Sequence, residues 1–454
     1  MLDWQDEFDT SHEWDQAEEL AIEAHELYEN GQMQKAMEKL DLAIRQRPEH
    51  GQWQFNMALT LDALGEYEKA IAFYERAAEL APGDIEILNC LGVDCTRTGL
   101  YDQAIDYFEQ IEQIDPNFEP AYCNRIIVYT EMEQHDRAEQ MFYTAQQINP
   151  DCPLCFYNIG NSLFTRGQYE KAIWCWDKCA SLDPAHPQIH YRIAQACWIS
   201  GQGCRARQEF IAELRRNPAD LDVILDFGLF LLESGDLIAA REKFTRILEF
   251  DESFTLAHFY LGEVYRIQGA EEQAFACYRR ALQGDPSLVG PRFRLAELCL
   301  KRGQPCKAVS LLRDEFEQGI EDIEVLLAMG WMFLRADTAS DAANCFVQIL
   351  NEAGPHNEAF YGLAMTLAAH ADYEGALHCV EQALCIGPCR PDWLLAAAWL
   401  CCKLRKWPQA EECIRKCRQL QPNRQPWESR CRRLLRFIRC SQFIDAVKAF
   451  LKKP

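Results

Sequence analysis

The sequence predicts an all-α fold, one helical hairpin repeated along the chain. Three observations carry that prediction. Small residues recur every 34 positions. Apolar residues around them follow helical spacing. Glycine and proline recur at two fixed points of the period, where helices end.

Residues 51–82 show one unit clearly. Phe55, Ala58, Leu59, Leu61 and Leu64 put one apolar face on a first helix. Gly65 ends it, because glycine takes positive φ without steric cost. Tyr67, Ala70, Ile71, Tyr74, Ala77 and Ala78 form the second stripe, and Pro82 closes it. A single hairpin cannot bury its apolar face alone, so it must stack on copies of itself.

The copies follow in phase. The small residue of the second helix is Ala36, Ala70, Ala104, Ala138, Ala172, Ala206, Ala240, Ala274, Ala308, Ala342, Ala376 and Ala410, always 34 residues apart. The first helix keeps the same beat from Ala24 and Ala58 through Gly92 to Ala398, with Ile126 alone out of pattern. Large residues such as Tyr74, Phe108, Trp176 and Phe346 fill the space beside these small ones. Some units depart from the pattern. Glu252 and Ile320 replace the closing proline, and Gly354–Pro355 shifts it. Glu133, Asp337, Ala371 and Arg405 replace the turn glycine, which predicts looser turns there.

On these residues the chain resembles a tetratricopeptide repeat array, about twelve units over residues 17–424. The resemblance implies an α-solenoid, a right-handed superhelix whose first helices line a concave groove. Residues 1–16 are then an acidic arm, with Trp4, Phe8 and Trp14 as docking candidates. Residues 425–454 are expected as a basic capping hairpin with helices over 426–439 and 441–452.

With Gly51 as position 1, the resemblance places positions 2, 5, 6, 9, 12 and 13 in the groove. The candidate partner-binding residues are Asn56, Asn89, Asn124, Tyr157, Asn158, Asn161, Tyr191, Arg192, Gln195, Tyr260, Arg266 and Arg294, followed by Phe259, Phe293 and Trp331. Asparagine offers a donor and an acceptor to a peptide backbone, and arginine pairs with carboxylates in two-point geometry. Asn56, Asn124 and Asn158 are similar to part of the asparagine ladder of superhelices that bind extended chains. The Lys and Asn set of carboxylate clamps is not matched. Arg430, Arg433 and Arg436 form a candidate anion-binding patch on the cap.

Charge narrows the classes of partner. The net charge is −24, which disfavours general nucleic-acid binding. Residues 1–30 hold eleven acids and no Lys or Arg, while 403–454 hold fifteen Lys and Arg against four acids. Opposite ends suggest a second reading, head-to-tail self-association. No run of eighteen apolar residues is present, so membrane insertion is not expected. The start, MLDWQDEFD, lacks the apolar core of a signal peptide.

The 22 cysteines mostly share repeat positions: Cys175, Cys277, Cys345, Cys379 and Cys413 at one, and Cys95, Cys197, Cys299 and Cys401 at another. Recurrence at small core positions predicts packing, free thiols and a reducing cytoplasm. Cys152 and Cys155 form the sole C-x-x-C. A four-cysteine zinc site would need a second such pair, so no metal is expected, and metal or redox sensing stays a third reading. His186, His190 and His258 are not expected to ligate metal. The chain shows no phosphate loop, nucleophile elbow, H-E-x-x-H or kinase set, so no catalytic residue and no cofactor is expected. The expected function is a non-catalytic scaffold or adaptor holding a segment of another protein.

Overall fold

The computed structural model describes the backbone of residues 5–420 and 425–451, and the side chains of 16–420 and 428–441. Two compact units divide the chain, Met1–Val223 and Ile224–Pro454. Among the described residues every regular element is a helix. In chain order they are α1 (Gln5–Glu29), α2 (Met33–Gln46), α3 (Gly51–Ala63), α4 (Tyr67–Leu80), α5 (Ile85–Arg97), α6 (Tyr101–Ile114), α7 (Glu119–Glu131), α8 (His135–Ile148), α9 (Pro153–Thr165), α10 (Tyr169–Leu182), α11 (Ile189–Ile199) and α12 (Gly203–Arg216). Then follow α13 (Leu221–Glu233), α14 (Leu237–Phe250), α15 (Thr255–Ile267), α16 (Glu271–Gly284), α17 (Pro291–Lys301), α18 (Pro305–Phe316), α19 (Ile323–Arg335), α20 (Ala339–Glu352), α21 (Asn357–Ala369), α22 (Tyr373–Ile386), α23 (Pro391–Lys403), α24 (Trp407–Leu420) and α25 (Gln425–Leu451). Every even-numbered helix begins 34 residues after the previous one, so the sequence period is the structural period.

The turn inside each hairpin has one geometry throughout. The N–H of the residue after the turn position donates to the carbonyl five residues back, as in Glu66 to Leu61 at 2.9 Å. That bond requires a left-handed residue between helix and turn. Gly65 supplies it at φ 77°. The looser turns expected at Glu133, Asp337, Ala371 and Arg405 are not found. These four adopt φ of 58–62° and keep the same bond, for example Asp372 to Leu367 at 3.0 Å. The stack imposes the turn on whatever residue stands there.

Close crossing explains the small residues. A Cβ added to Gly92, Gly160, Gly228, Gly262 or Gly330 would lie 2.4–2.6 Å from Phe108, Trp176, Phe244, Tyr278 or Phe346. Where the position is alanine, the residue sixteen on is Leu40, Tyr74, Phe210, Leu312, Val380 or Ile414, all buried. At Ile126 the rule is broken, and its partner Phe142 is 8% exposed where Phe108, Phe210, Phe244 and Phe346 are fully buried.

The loops between hairpins are held by polar groups. Asp115, Asn149, Asp183, Asp251 and Asp285 each accept from the backbone N–H two residues on. Gln54, Tyr122 and His258, at one repeat position, reach back six residues to a carbonyl at 2.7–3.1 Å. Pro422 lies outside the described residues. At Ile320, where a proline was replaced, α18 stops early at Phe316 and Ile320 is buried in the core.

At the ends, the acidic arm lies on a helix and the cap differs from expectation. The acidic arm over 1–16 is helical from Gln5 and continuous with α1, since nothing between 5 and 29 breaks a helix and acids suit a helix N-terminus. Residues 1–4, with Trp4, and the side chains of Phe8 and Trp14 lie outside the described residues. The cap over 425–454 is one helix, α25, and not a hairpin. No glycine or proline stands between Trp427 and Leu451, so no residue there favours a break.

Candidate functional site

Successive first helices touch one another: α1 with α3, α5 with α7, α7 with α9, α17 with α19, α19 with α21, and α23 with α25. Their facing positions therefore form an inner row within each unit. In the second unit that row opens into a trough of about 670 Å³. Its lining includes Tyr361, Met365, Leu395, Trp399, Arg430 and Arg433. These occupy positions 5, 9, 5, 9, 6 and 9 of three successive repeats. The floor is apolar, Trp399 is 40% exposed, and two exposed guanidinium groups stand on α25. Sequence reasoning picked Arg430 and Arg433 but missed Tyr361, Met365, Leu395 and Trp399. The signal was the same position count continued to the end of the array. Arg436 is exposed on the same helix but does not line the trough.

A smaller pocket of about 180 Å³ lies in the first unit between α1 and α3, and Asn56 lines it with His25, Tyr28 and Glu29. Asn89, Asn124 and Asn158 bond between neighbouring repeats. Asn124 donates to Asn89 Oδ1 at 3.0 Å. Asn158 is 8% exposed and donates to the Cys123 carbonyl at 3.2 Å. The ladder thus ties first helix to first helix. Tyr157 packs on His186 with ring centres 4.3 Å apart. Asn161, Tyr191, Arg192 and Gln195 are half-buried on α9 and α11.

Arg266 and Arg294 are committed to an ion cluster. Glu263 accepts from Tyr278 Oη at 2.6 Å and from Arg266 Nη2 at 2.8 Å, and lies 3.0 Å from Arg294 Nε. Burial pushes its carboxyl up, but the bonds from Arg266 and Tyr278 outweigh that and hold it below the usual carboxylate range. Tyr260 stacks on Phe244 at 5.8 Å and meets Phe259 edge-on at 5.1 Å. Trp331 packs on Phe346 and Tyr361 at 5.5 and 5.9 Å. The Arg294 guanidinium lies 5.2 Å from the centre of the Phe293 ring.

The histidines have protein partners. His190 bonds Glu209 at 2.7 Å and His186 the Pro187 carbonyl at 3.0 Å. The recurring cysteines are mostly buried and none is in a disulfide. Burial pushes Cys175, Cys345 and Cys401 up to about 12, which keeps them as unreactive thiols. Cys152 and Cys155 stand apart. With Cys123 and Glu119 they form a cluster whose donor atoms all lie within 4.8 Å of one another. The cluster joins α7 to the N-terminus of α9, with all of α8 between them in sequence.

A stack of 34-residue helical hairpins with an inner row of first helices defines a helical-repeat scaffold. A family model described as tetratricopeptide repeat matches residues 23–85 and 225–288, and one described as TPR repeat matches 160–201. The chain thus carries tetratricopeptide repeats in both of its units. It is similar to the TPR repeat-containing protein YpiA of Bacillus subtilis (strain 168), 23% identical over 324 residues that cover 68% of this chain and 74% of that protein. A solved tetratricopeptide repeat protein from Parabacteroides merdae ATCC 43184 is 17% identical at a TM-score of 0.46, covering 55% of this chain and 99% of its own. The APC/C hetero-tetramer Cut9–Hcn1 gives 15% identity and a TM-score of 0.41 over 92% of this chain and 96% of that one. The tetratricopeptide repeat fold generally serves protein interaction and is generally non-catalytic. Among the described residues no helix is long and apolar enough to cross a membrane.

Proposed function

We propose that the chain is a non-catalytic adaptor that holds an extended segment of another protein against its first helices, with the trough of α21, α23 and α25 as the principal seat. The observation that carries this reading is the convergence of groove positions from three successive repeats on one apolar trough beside Arg430 and Arg433. Tyr361 and Trp399 offer flat apolar area at low entropy cost, and the guanidinium groups take carboxylates. The fitting segment carries an aromatic or aliphatic anchor with acids next to it. The free buried thiols suit a reducing cytoplasm.

Affinity capture with the wild type and with a Trp399→Ala, Arg433→Glu variant tests the assignment. Partners held by the wild type should be lost from the variant while its helical circular dichroism stays the same. Equal capture by both refutes the trough. Light scattering separates the self-association reading: mass that grows with concentration would give the trough to a second copy.

A further inference from the structure

A repeat array supplies its own control for each position. Packing cysteines recur: five share the position of Cys175 and four that of Cys95. Glu119, Cys123, Cys152 and Cys155 do the opposite. No other repeat has an acid where Glu119 stands, and none has a cysteine where the other three stand. The equivalents of Cys123 are Phe55, Asn89, Tyr157 and Tyr191, and those of Cys155 include Trp53, Ile87 and Ile189. Four independent departures from the pattern meet at one point.

Their geometry is that of a ligand set. Glu119 and Cys123 lie four residues apart on one face of α7. Cys152 is the N-cap of α9, and Cys155 lies in its first turn. Cys123, Cys152 and Cys155 are 4%, 6% and 1% exposed. All four donor atoms fall within 4.8 Å of one another. Tetrahedral zinc with Zn–S of about 2.3 Å needs sulfur atoms about 3.8 Å apart, so closing the set calls for small side-chain shifts only. Protein donors already point at two of the sulfurs. The Cys155 N–H donates to Cys152 Sγ at 3.3 Å, Asn158 Nδ2 donates to Cys123 Sγ at 3.4 Å, and the helix N-terminus adds positive potential. Cys155 Sγ donates to Glu119 Oε1 at 2.8 Å, so sulfur and carboxylate already converge. Three soft sulfurs and a single carboxylate oxygen exclude calcium and magnesium, which want an oxygen shell.

We propose that Glu119, Cys123, Cys152 and Cys155 bind one zinc ion that ties the fourth repeat to the fifth. The site is structural: it closes four ligands, leaves no coordination position for chemistry, and links α7 to α9. Binding expels the thiol protons to solvent and involves no change of oxidation state.

The test is metal analysis of the full chain, purified under reducing conditions without chelator. About one zinc per chain is expected in the wild type, with at least a tenfold fall in a Cys152→Ser, Cys155→Ser variant. Cys204→Ser with Cys306→Ser, both exposed elsewhere, and the buried Cys175→Ser should keep the metal. Cobalt substitution should show the charge-transfer bands of tetrahedral thiolate ligation, and Glu119→Gln should shift the visible bands while keeping the sulfur bands. A wild type that holds no zinc even after zinc is added overturns the proposal. So does zinc retained by the double variant, or copper found in its place.

Discussion

Ala371→Gly should stabilise the protein, although it removes a methyl group from a position that is a glycine in eight of twelve repeats. Ala371 sits at φ 62°, and a left-handed L-residue costs about 1–2 kcal/mol. Glycine escapes that cost but loses more freedom on folding, about 0.5–1 kcal/mol. The expected net gain is about 0.5–1 kcal/mol. No packing offsets it: Ala371 is exposed, and a Cβ built on the equivalent Gly65 meets nothing within 4 Å. The reverse change, Gly65→Ala, therefore isolates the backbone term and should cost a similar amount. Native-state hydrogen exchange of the Asp372 and Ala376 amides reads the local opening energy, which suits an array that need not unfold in one step. Slower exchange in Ala371→Gly and faster exchange around Gly65→Ala are expected. A loss of protection in Ala371→Gly, or no cost at Gly65→Ala, would refute the claim that the stack imposes the left-handed turn.

Further outcomes follow from other contacts. Gly160→Ala drives a methyl to 2.4 Å from Trp176 Nε1 and should cost about 1–3 kcal/mol. Adding Trp176→Leu should recover part of that cost, as a double-mutant cycle by urea unfolding would show. Glu263→Ala leaves Tyr278, Arg266 and Arg294 without their shared acceptor and should cost about 3 kcal/mol. Because the Glu263 carboxyl is held low, its contribution is present above the usual carboxylate range and is lost as pH falls below it. Asp94 has the opposite sign. Burial, then the neighbouring Asp62, raises it to about 6 against the pull of Arg97. The folded state then binds the proton more tightly, so stability is lost as pH rises from the usual carboxylate value through about 6. Asp94→Asn should raise the unfolding free energy read from urea titration at pH 7 by about 1–3 kcal/mol and give no gain in acid.

The hairpins, their phase and the packing role of the alanines were legible because each rests on local rules repeated twelve times. The turn geometry at Glu133 and Ala371 was not, because residue preference there is overruled by the neighbours on either side. The groove positions were legible as a count, yet the choice of repeats was not. Asn124 and Asn158 look like partner ligands in sequence, but each bonds the repeat before it, 35 residues away. Tyr361 and Trp399 carry no signal in sequence that sets them apart, and only the placement of α25 shows that an open trough lies over them. The cap was misread as a hairpin for want of weight on a missing breaker.

The same reasoning says why a metal would sit in the fourth repeat. That unit holds the bulky Ile126 in place of a small residue, which leaves Phe142 less well covered than its equivalents. It also holds Glu133 at φ 58°. Overpacking costs about 1–3 kcal/mol, and a left-handed glutamate about 1–2 kcal/mol. Asn124 and Asn158 answer with two bonds across the interfaces of this unit, each worth about 1 kcal/mol net. A metal bridging α7 and α9 would hold the same interfaces at one more point. Chelation should therefore loosen α7 and α9 before the rest of the first unit. Hydrogen exchange with and without chelator would show uniform loosening if the reasoning is wrong.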